Sequence, residues 1–172
     1  DEHKCYCVCW CSDDFEGKDF SAREKRRAAA LRYVRGGFIQ GYLAYSGGKV
    51  VGWCNANTKA DCQKCASWRM FLTDIPALDP GERVKSVFCF TVAPEMKRKG
   101  IATMLLERVC QDAAQDGFTC VEGYPDKEPR DENIHFSGAA ALYIKCGFTV
   151  HSETAGKLVM RKSLRAGSSF RA

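Results

Sequence analysis

One segment of the chain combines residue types that could bind a phosphate group. Residues 92–103 read Val-Ala-Pro-Glu-Met-Lys-Arg-Lys-Gly-Ile-Ala-Thr, which is the end of an apolar strand, a basic turn and the start of a helix. The first turn of a helix leaves N–H groups unpaired and carries a partial positive charge. Because Gly100 and Ala102 have little side-chain bulk, the backbone there could close on an anion. The segment predicts a pyrophosphate site, with a solvated basic loop before a core helix as the alternative.

The hydrophobic pattern supplies the elements that must hold this segment. Apolar residues recur at four-residue spacing within 100–115, which predicts an amphipathic helix, and the Val- and Phe-rich residues 83–92 predict a central strand. Residues 55–80 are predicted to be a substrate-shaping loop with one helical turn. Strands that alternate with helices indicate the α/β (α+β) class. The other predicted elements are helices over 21–34 and 137–145, and strands over 4–10, 42–45, 50–54, 118–123, 148–151 and 157–161.

Two segments resemble the signatures of a known family. Residues 97–102, Lys-Arg-Lys-Gly-Ile-Ala, are similar to the Arg/Gln-x-x-Gly-x-Gly/Ala motif of the GNAT superfamily of acyl-CoA-dependent N-acetyltransferases. Residues 142–148, Leu-Tyr-Ile-Lys-Cys-Gly-Phe, are similar to its closing Leu-Tyr-x-x-x-Gly-Phe, and residues 41–53 resemble its second and third strands. The first motif position is Lys97, where the family has arginine or glutamine. A lysine ammonium is a point charge and lacks the paired donors of an arginine side chain, so the contact with the ligand would differ although the preference for an anion is kept.

The resemblance implies a fold and a cosubstrate. The expected fold is a mixed, mostly antiparallel central sheet of about six to seven strands flanked by about four helices. It would form a single domain over residues 1–164, with the acetyl-CoA-binding core at 83–162. Residues 165–172 are expected to be a flexible tail. The cosubstrate would be acetyl-CoA, and no metal is expected.

The resemblance also implies roles for individual residues. The main chain of Phe90, Thr91 and Val92 would pair with the pantetheine arm, and the Val92 N–H would hold the oxyanion. Tyr143 would lie beside the thioester sulfur and supply the proton that the leaving thiolate takes up, because a phenol with a pKa of about 10 is still protonated at neutral pH; the alternative is a buried aromatic with a satisfied hydroxyl. The pyrophosphate would be bound by Lys97, Arg98, Lys99, Gly100, Ile101, Ala102 and Thr103.

The residue that deprotonates the amine is less well determined by the sequence. Glu122 lies inside an apolar strand, where an acid is costly to bury unless it faces a cleft, so it is the candidate general base. The alternative is a salt bridge at the end of the strand. His135 is a second candidate for the base, or simply a loop histidine. Cys89 could form an acyl-enzyme, but no histidine is near it in sequence, which favours a core cysteine.

The eleven cysteines allow three interpretations. Four of them alternate near the N-terminus and would share one face of a strand, where they could chelate a soft metal or be buried. Cys62 and Cys65 have the spacing of metal ligands, but no second pair completes a site. The interpretations are a disulfide scaffold, which the full complement of predicted helices and strands disfavours, a metal site, or small hydrophobic residues in a reduced protein, with thiol redox chemistry as a further alternative. The alternating cysteines are Cys5, Cys7, Cys9 and Cys11.

The leading functional hypothesis is an acyltransferase of the EC 2.3.1 type. It would transfer an acetyl group from acetyl-CoA to a primary amine of a small molecule or peptide by direct attack. The alternatives are a non-catalytic acyl-CoA-binding module and a Cys-dependent metal or thiol protein. A net charge of +5 favours an anionic ligand without requiring nucleic acid. With no apolar run of about 20 residues and no signal-peptide pattern, we expect no membrane association and a cytoplasmic location. A homodimer is allowed for, but no contact patch is indicated.

Overall fold

A six-stranded sheet forms the centre of the protein, which we describe from a computed structural model over residues 6, 8–14, 16–18, 21–128 and 136–164. The strand order is β1-β2-β3-β4-β6-β5, and only the β3–β4 pair is parallel. The strands are β1 (Gly41–Ser46), β2 (Lys49–Thr58), β3 (Val84–Val92), β4 (Cys120–Gly123), β5 (Thr149–Glu153) and β6 (Leu158–Ser163). The described α-helices are α1 (Arg23–Arg35), α2 (Lys59–Cys62), α3 (Ala66–Phe71), α4 (Ile101–Gln115) and α5 (Ala140–Lys145).

One face of the sheet is covered by α4 and α5. The apolar stripe of α4 is buried against β2, β3 and β4, as its four-residue spacing predicts. Gly52 lies directly under the first turn of this helix, and an added Cβ there would come within 2.7 Å of Ile101. The Tyr143 ring of α5 packs edge-on against Phe148, with 5.3 Å between ring centroids. This face therefore holds the main hydrophobic core.

The opposite face is covered by the N-terminal part of the chain and by α3. Trp10 stacks on Phe88 with 4.7 Å between ring centroids, and Trp68 meets Phe88 and Tyr124 edge-on. A separate small cluster packs Ala29 and Ala30 of α1 among other buried apolar residues. The N-terminal segment and α1 are thus part of the folded core on this side.

The two central strands diverge halfway along β3. Parallel pairing with β4 ends at Val87 and Gly123, although β3 continues to Val92. Beyond this point β3 follows β2, with Phe88 as an extra, bulged residue between the Asn55–Cys89 and Ala56–Val87 pairs. The β3 edge over residues 88–92 therefore has no strand beside it on the β4 side within the described residues.

The predicted fold class and the mostly antiparallel sheet are confirmed. One local prediction is wrong and another is right in part. Val8–Trp10 is a 3₁₀ helix where a strand was expected, and Val8 is fully buried in the cluster with Ala29. Within residues 55–80 the predicted helical turn is present as α3, but the rest is more ordered than a loop, since β2 runs on to Thr58 and α2 follows it. The predicted tail at 165–172 and the cysteines at 5 and 7 lie outside the described residues.

The contact between Gly123 and Tyr143 gives a direct test of this packing. We expect Gly123→Ala to lower the free energy of unfolding by about 1–3 kcal/mol, because a Cβ at residue 123 would overlap the Tyr143 ring. Denaturant unfolding measures the change. The matched control is Gly156→Ala, whose Cβ would meet no atom within 4 Å and should change stability by less than about 0.5 kcal/mol. Equal stability of the two variants would contradict the close approach.

Candidate functional site

Where β3 and β4 diverge they leave a cleft, and the β3 edge of this cleft pairs with a short main-chain segment at residues 136–137. The Phe90 N–H points away from β2 and donates to the carbonyl of Phe136 at 2.6 Å. The next carbonyl along the chain, that of Ser137, accepts a hydrogen bond from the Tyr143 hydroxyl at 2.7 Å. Two consecutive carbonyl groups therefore accept the hydrogen bonds of the Phe90 N–H on the strand edge and of the Tyr143 hydroxyl. The same two donors could bind the polar groups of a ligand that replaced this segment.

Tyr143 is held at the inner end of this cleft. Its side chain is fully buried, with Phe90 and Phe148 packed against the ring and Gly123 beneath it. Burial raises the pKa of its hydroxyl well above the usual 10, and the neighbouring cysteine thiols act in the same direction. The phenol is therefore protonated at neutral pH and is a proton donor.

The basic turn lies at the same end of the sheet. Residues 97–100 are exposed, and the backbone at Arg98 and Gly100 is left-handed, with φ of 63° and 81°. An added Cβ at Gly100 would meet no atom within 4 Å, so glycine is required by its φ and not by space. The Met104 N–H donates to the Gly100 carbonyl at 3.0 Å, which is the first hydrogen bond of α4. The N–H groups of residues 101–103 precede it and have no acceptor within the helix.

The structure brings the predicted cofactor-binding residues together. Val92 leads through a 3₁₀ turn, Pro94–Met96, into the basic turn. Gly52, which pairs with Val92, packs against Ile101 and Leu105 at the start of α4. The β3 edge, the cationic turn and the N-terminus of α4 therefore follow one another at the same end of the sheet. They offer main-chain donors and three cations, with the buried Tyr143 phenol behind the segment that now fills the strand edge.

Glu122 lies on the opposite face of the sheet from Tyr143. Val121 and Gly123 face α4 and α5, so the side chain between them points the other way. One carboxylate oxygen accepts from Lys59 Nζ at 2.9 Å and from the Tyr124 hydroxyl at 2.9 Å. The other accepts from Arg161 Nε at 2.9 Å. The carboxylate is fully buried and both of its oxygens are engaged.

The charge state of Glu122 follows from these partners. Burial alone would raise its pKa, but the ion pairs and hydrogen bonds with Lys59 and Arg161 outweigh burial and leave the pKa below its usual value. A general base that serves near neutral pH has a raised pKa and a free lone pair. The geometry therefore favours a structural role for Glu122, and the general-base role stays a prediction.

The other sequence candidates are less well placed. His135 lies outside the described residues. Cys89 is buried on β3, and His151, the single histidine in the described part of the chain, is on β5 at the far edge of the sheet. Seven cysteines from Cys54 to Cys146 are buried, and burial raises the pKa of the Cys62 and Cys65 thiols. Within the described ranges no three potential ligands come together around a metal site.

Sequence reasoning missed the partners that complete these sites. The carbonyls of Phe136 and Ser137 act through the main chain, which has no residue signature. Arg161 sits inside an apolar strand, and this is the same signal that singled out Glu122.

Asn55 is buried beside the β3 bulge. It accepts from Asn57 Nδ2 at 2.9 Å, while its own Nδ2 has no acceptor in the described part of the chain.

Comparisons with known proteins agree with this geometry. The profile of the Acetyltransferase (GNAT) family matches residues 6–148. No curated protein sequence gives a significant match.

None of the helices within the described ranges has the length and apolar character to cross a bilayer.

Several solved structures are similar to the chain. A GNAT-family protein from Desulfovibrio desulfuricans has a TM-score of 0.56 at 14% identity, covering 95% of this chain and 92% of that one. The yncA protein of Salmonella typhimurium, solved with its cofactor acetyl-CoA, has a TM-score of 0.55 at 14% identity, covering 98% and 93%. PaiA N-acetyltransferase from Thermoplasma acidophilum, in complex with coenzyme A, has a TM-score of 0.53 at 16% identity, covering 86% and 74%. At these identities the likeness shows the fold alone.

The Glu122 cluster predicts how stability depends on pH. We expect Glu122→Gln to lower the free energy of unfolding at pH 7 by about 3 kcal/mol, because buried Lys59 loses its countercharge and the half-buried Arg161 keeps only its ion pair with Glu82. A carboxyl whose pKa is lowered by folding stabilises the native state above its unfolded pKa of about 4.3 and loses that effect as pH falls through the folded value. The difference between wild type and variant should therefore be constant from pH 8 to 5.5 and shrink below about pH 4. Denaturant unfolding across this range measures it.

The control for this experiment is Glu95→Gln, at an exposed carboxylate in the 3₁₀ turn after β3. It should change stability by less than about 0.5 kcal/mol at every pH. A loss of the same size in both variants, or a Glu122→Gln effect that grows in acid, would argue against the buried ion cluster.

Proposed function

We propose that this chain, which belongs to the GNAT acetyltransferase family, transfers an acetyl group from acetyl-CoA to a primary amine by direct attack. One observation carries the proposal. The edge of β3 beyond its pairing with β4 leads directly into a cationic turn with N–H groups free of helix partners, and the segment that now occupies this edge also holds the hydroxyl of a buried, protonated phenol. Acetyl-CoA has a complementary group for each of these features. Its pantetheine amides match the strand edge, its diphosphate matches the cationic turn and its thioester matches the phenol.

The donor side of the site supports acetyl-CoA as the cosubstrate. The diphosphate would be held by the main chain of residues 99–103 and the cations at 97–99, because oriented N–H groups and positive charge favour an anion there. The pantetheine amides would pair with the β3 edge between Phe90 and Val92. The Phe90 N–H already holds a carbonyl oxygen, that of Phe136, so this exchange replaces one carbonyl with another.

The chemistry requires four events, and the chain's own groups could serve two of them, the stabilisation of the oxyanion and the protonation of the thiolate. The neutral amine forms a bond to the acetyl carbon, and the carbonyl oxygen becomes an oxyanion. The family resemblance implies the Val92 N–H as the oxyanion donor, because the Phe90 N–H two residues earlier on the same edge would bind the pantetheine arm. The C–S bond then breaks, and Tyr143 gives its proton to the thiolate. The proton lost by the amine leaves through water or a base that is not assigned.

A second candidate function rests on the buried state of the phenol. The Tyr143 hydroxyl donates to Ser137 in a fully buried position, as it would in a module that binds acyl-CoA without transferring the acetyl group. Binding of acetyl-CoA with no release of coenzyme A on a broad panel of amines would favour this candidate over the enzyme.

The first test concerns donor binding. We expect Lys97→Ala to weaken the binding of acetyl-CoA about tenfold, because it removes a cation beside the proposed diphosphate site. Isothermal titration calorimetry measures the change. Lys49→Ala is the control, since Lys49 is an exposed lysine at the β1–β2 turn. Identical affinities for wild type and Lys97→Ala would remove the cationic turn from the site.

The second test concerns Tyr143. We expect Tyr143→Phe to lower kcat at least about tenfold, with little change in the affinity for acetyl-CoA, because only the departing thiolate needs the phenol proton. The raised pKa of Tyr143 keeps its proton in place at alkaline pH, so wild-type kcat should not fall between pH 7 and 9 through loss of that proton. Steady-state release of coenzyme A measures both. Tyr45→Phe, at an exposed strand residue, is the control. An unchanged kcat in Tyr143→Phe would rule out the acid role.

A further inference from the structure

Helix α1 carries a concentration of positive charge that the donor site does not use. Its 13 residues include six cationic side chains and one carboxylate, a formal charge of +5 that equals the net charge of the whole 172-residue chain. The rest of the protein is therefore balanced in formal charge. A charged helix at the surface is often only solvated, so a partner needs support from further observations.

The outward face of α1 combines this charge with exposed apolar side chains. Ala29 and Ala30 point into the core, while Leu31 and Val34 are 46% and 55% exposed on the other side. Phe38, which follows the helix and packs edge-on against Tyr33, is 64% exposed. The cations interleave with these side chains, and in the described part of the chain Arg27 and Arg35 contact no carboxylate. We call Arg27, Leu31, Val34, Arg35 and Phe38 the α1 face.

The helix lies beside the proposed acetyl site. Trp53 packs against the cluster that holds Ala29 and Ala30 under α1. In the β2–β3 ladder Trp53 is paired with Thr91, which is exposed and lies between Phe90 and Val92. The opposite face of the sheet is filled by α4, α5 and the main core. An amine that reaches an acetyl group at the β3 edge would therefore approach from the side on which α1 lies.

A pocket adjoins the C-terminal end of α1. It has a volume of about 300 Å³, and its lining includes the aromatic residues Trp10 and Phe38 and one side chain of each charge, Asp61 and Lys64. This volume is at the lower limit of ligand sites in proteins and suits one or two side chains of a docked chain. The α1 face and this pocket form a surface that extends beyond what a small amine would cover.

The composition of the α1 face selects among anionic partners. Nucleic acid would satisfy the arginines but would leave Leu31 and Val34 without apolar partners. A membrane would need a continuous apolar face, which Arg27 and Arg35 interrupt. An acidic polypeptide offers carboxylates for the planar arginine side chains and apolar side chains for the rest, and this mixture of arginine, aromatic and aliphatic contacts is typical of protein interfaces.

We infer that the acceptor amine is carried on an acidic polypeptide that docks on the α1 face. This inference rests on the proposed acetyl transfer, because it names the substrate class of that reaction. The positive field of α1 steers the acidic chain to the protein. The carboxylates pair with Arg27 and Arg35, which positions the amine near the exposed end of β3. Aspartate and glutamate residues flanking the reactive amine are therefore the recognition signal.

The experiment compares two peptides that share one acceptor amine and differ only in Asp/Glu or Asn/Gln residues on both sides of it. With the full chain and saturating acetyl-CoA, we expect kcat/KM to be at least about tenfold higher for the acidic peptide, with the advantage falling as salt is raised. The double variant Arg27→Glu/Arg35→Glu should remove this advantage. It should leave turnover of the neutral peptide and the affinity for acetyl-CoA unchanged.

The control is Lys49→Glu/Lys145→Glu, which reverses the same number of charges at exposed sites outside α1 and should keep the preference. Fluorescence anisotropy of a labelled acidic peptide tests docking without turnover. Equal binding and equal kcat/KM for the two peptides would overturn the α1 inference alone. Arginine-dependent binding of the acidic peptide without acetylation of any amine would overturn the proposed enzyme alone. Tighter arginine-dependent binding of a single-stranded RNA or of phosphatidylserine vesicles would overturn the assignment to a polypeptide.

Discussion

The divergence of β3 from β4 is the constraint on which the site depends. After Gly123 the chain continues beside β6, with Leu158 donating to the Pro125 carbonyl and Asp126 bridging to Lys157. After Val87, β3 continues beside β2. Beyond Val87 and Gly123 the sheet therefore divides into two halves of three strands each. The edge of β3 that faces the gap has main-chain groups that still require hydrogen-bond partners. The carbonyl of Phe136 meets one of these requirements in the protein alone, and a ligand with amide groups could meet the same one.

The split is held open from both faces of the sheet. On one face the Tyr143 ring lies on Gly123, where any larger residue would push the ring or the strand aside. On the other face the Glu122 carboxylate joins β4 to Lys59 beyond the end of β2 and to Arg161 on β6. A buried ion cluster of this kind adds little net stability relative to a well-packed apolar core, but it is costly to break. It connects the short strand β4, which has only four residues, to elements on both of its sides.

What the sequence predicts well follows from local chemistry. The spacing of apolar residues identified α4 because one helix face repeats every three to four residues, and the basic turn was identifiable because a left-handed residue before a helix favours glycine. The alternating cysteines predicted a strand, whereas Cys9 lies in a 3₁₀ turn that packs under α1, and alternation alone does not distinguish the two. Glu122 was correctly singled out as unusual, yet a cleft and an ion cluster give the same signal. The distinction depends on Lys59 and Arg161, which are 63 and 39 residues away in sequence.

The two substrates of the proposed reaction would be recognised by different kinds of group. The donor is the same molecule in every turnover, so main-chain donors at a strand edge and a helix N-terminus suffice, and these leave a motif in the sequence. The acceptor would be selected by the side chains of α1, whose formal charge equals that of the whole chain. A charged helix face of this kind has no fixed sequence motif. Because α1 packs on the sheet through Ala29, Ala30 and Trp53 independently of the basic turn, its outer residues can change without disturbing the donor site. Acceptor selectivity can therefore vary on a scaffold whose donor chemistry stays constant.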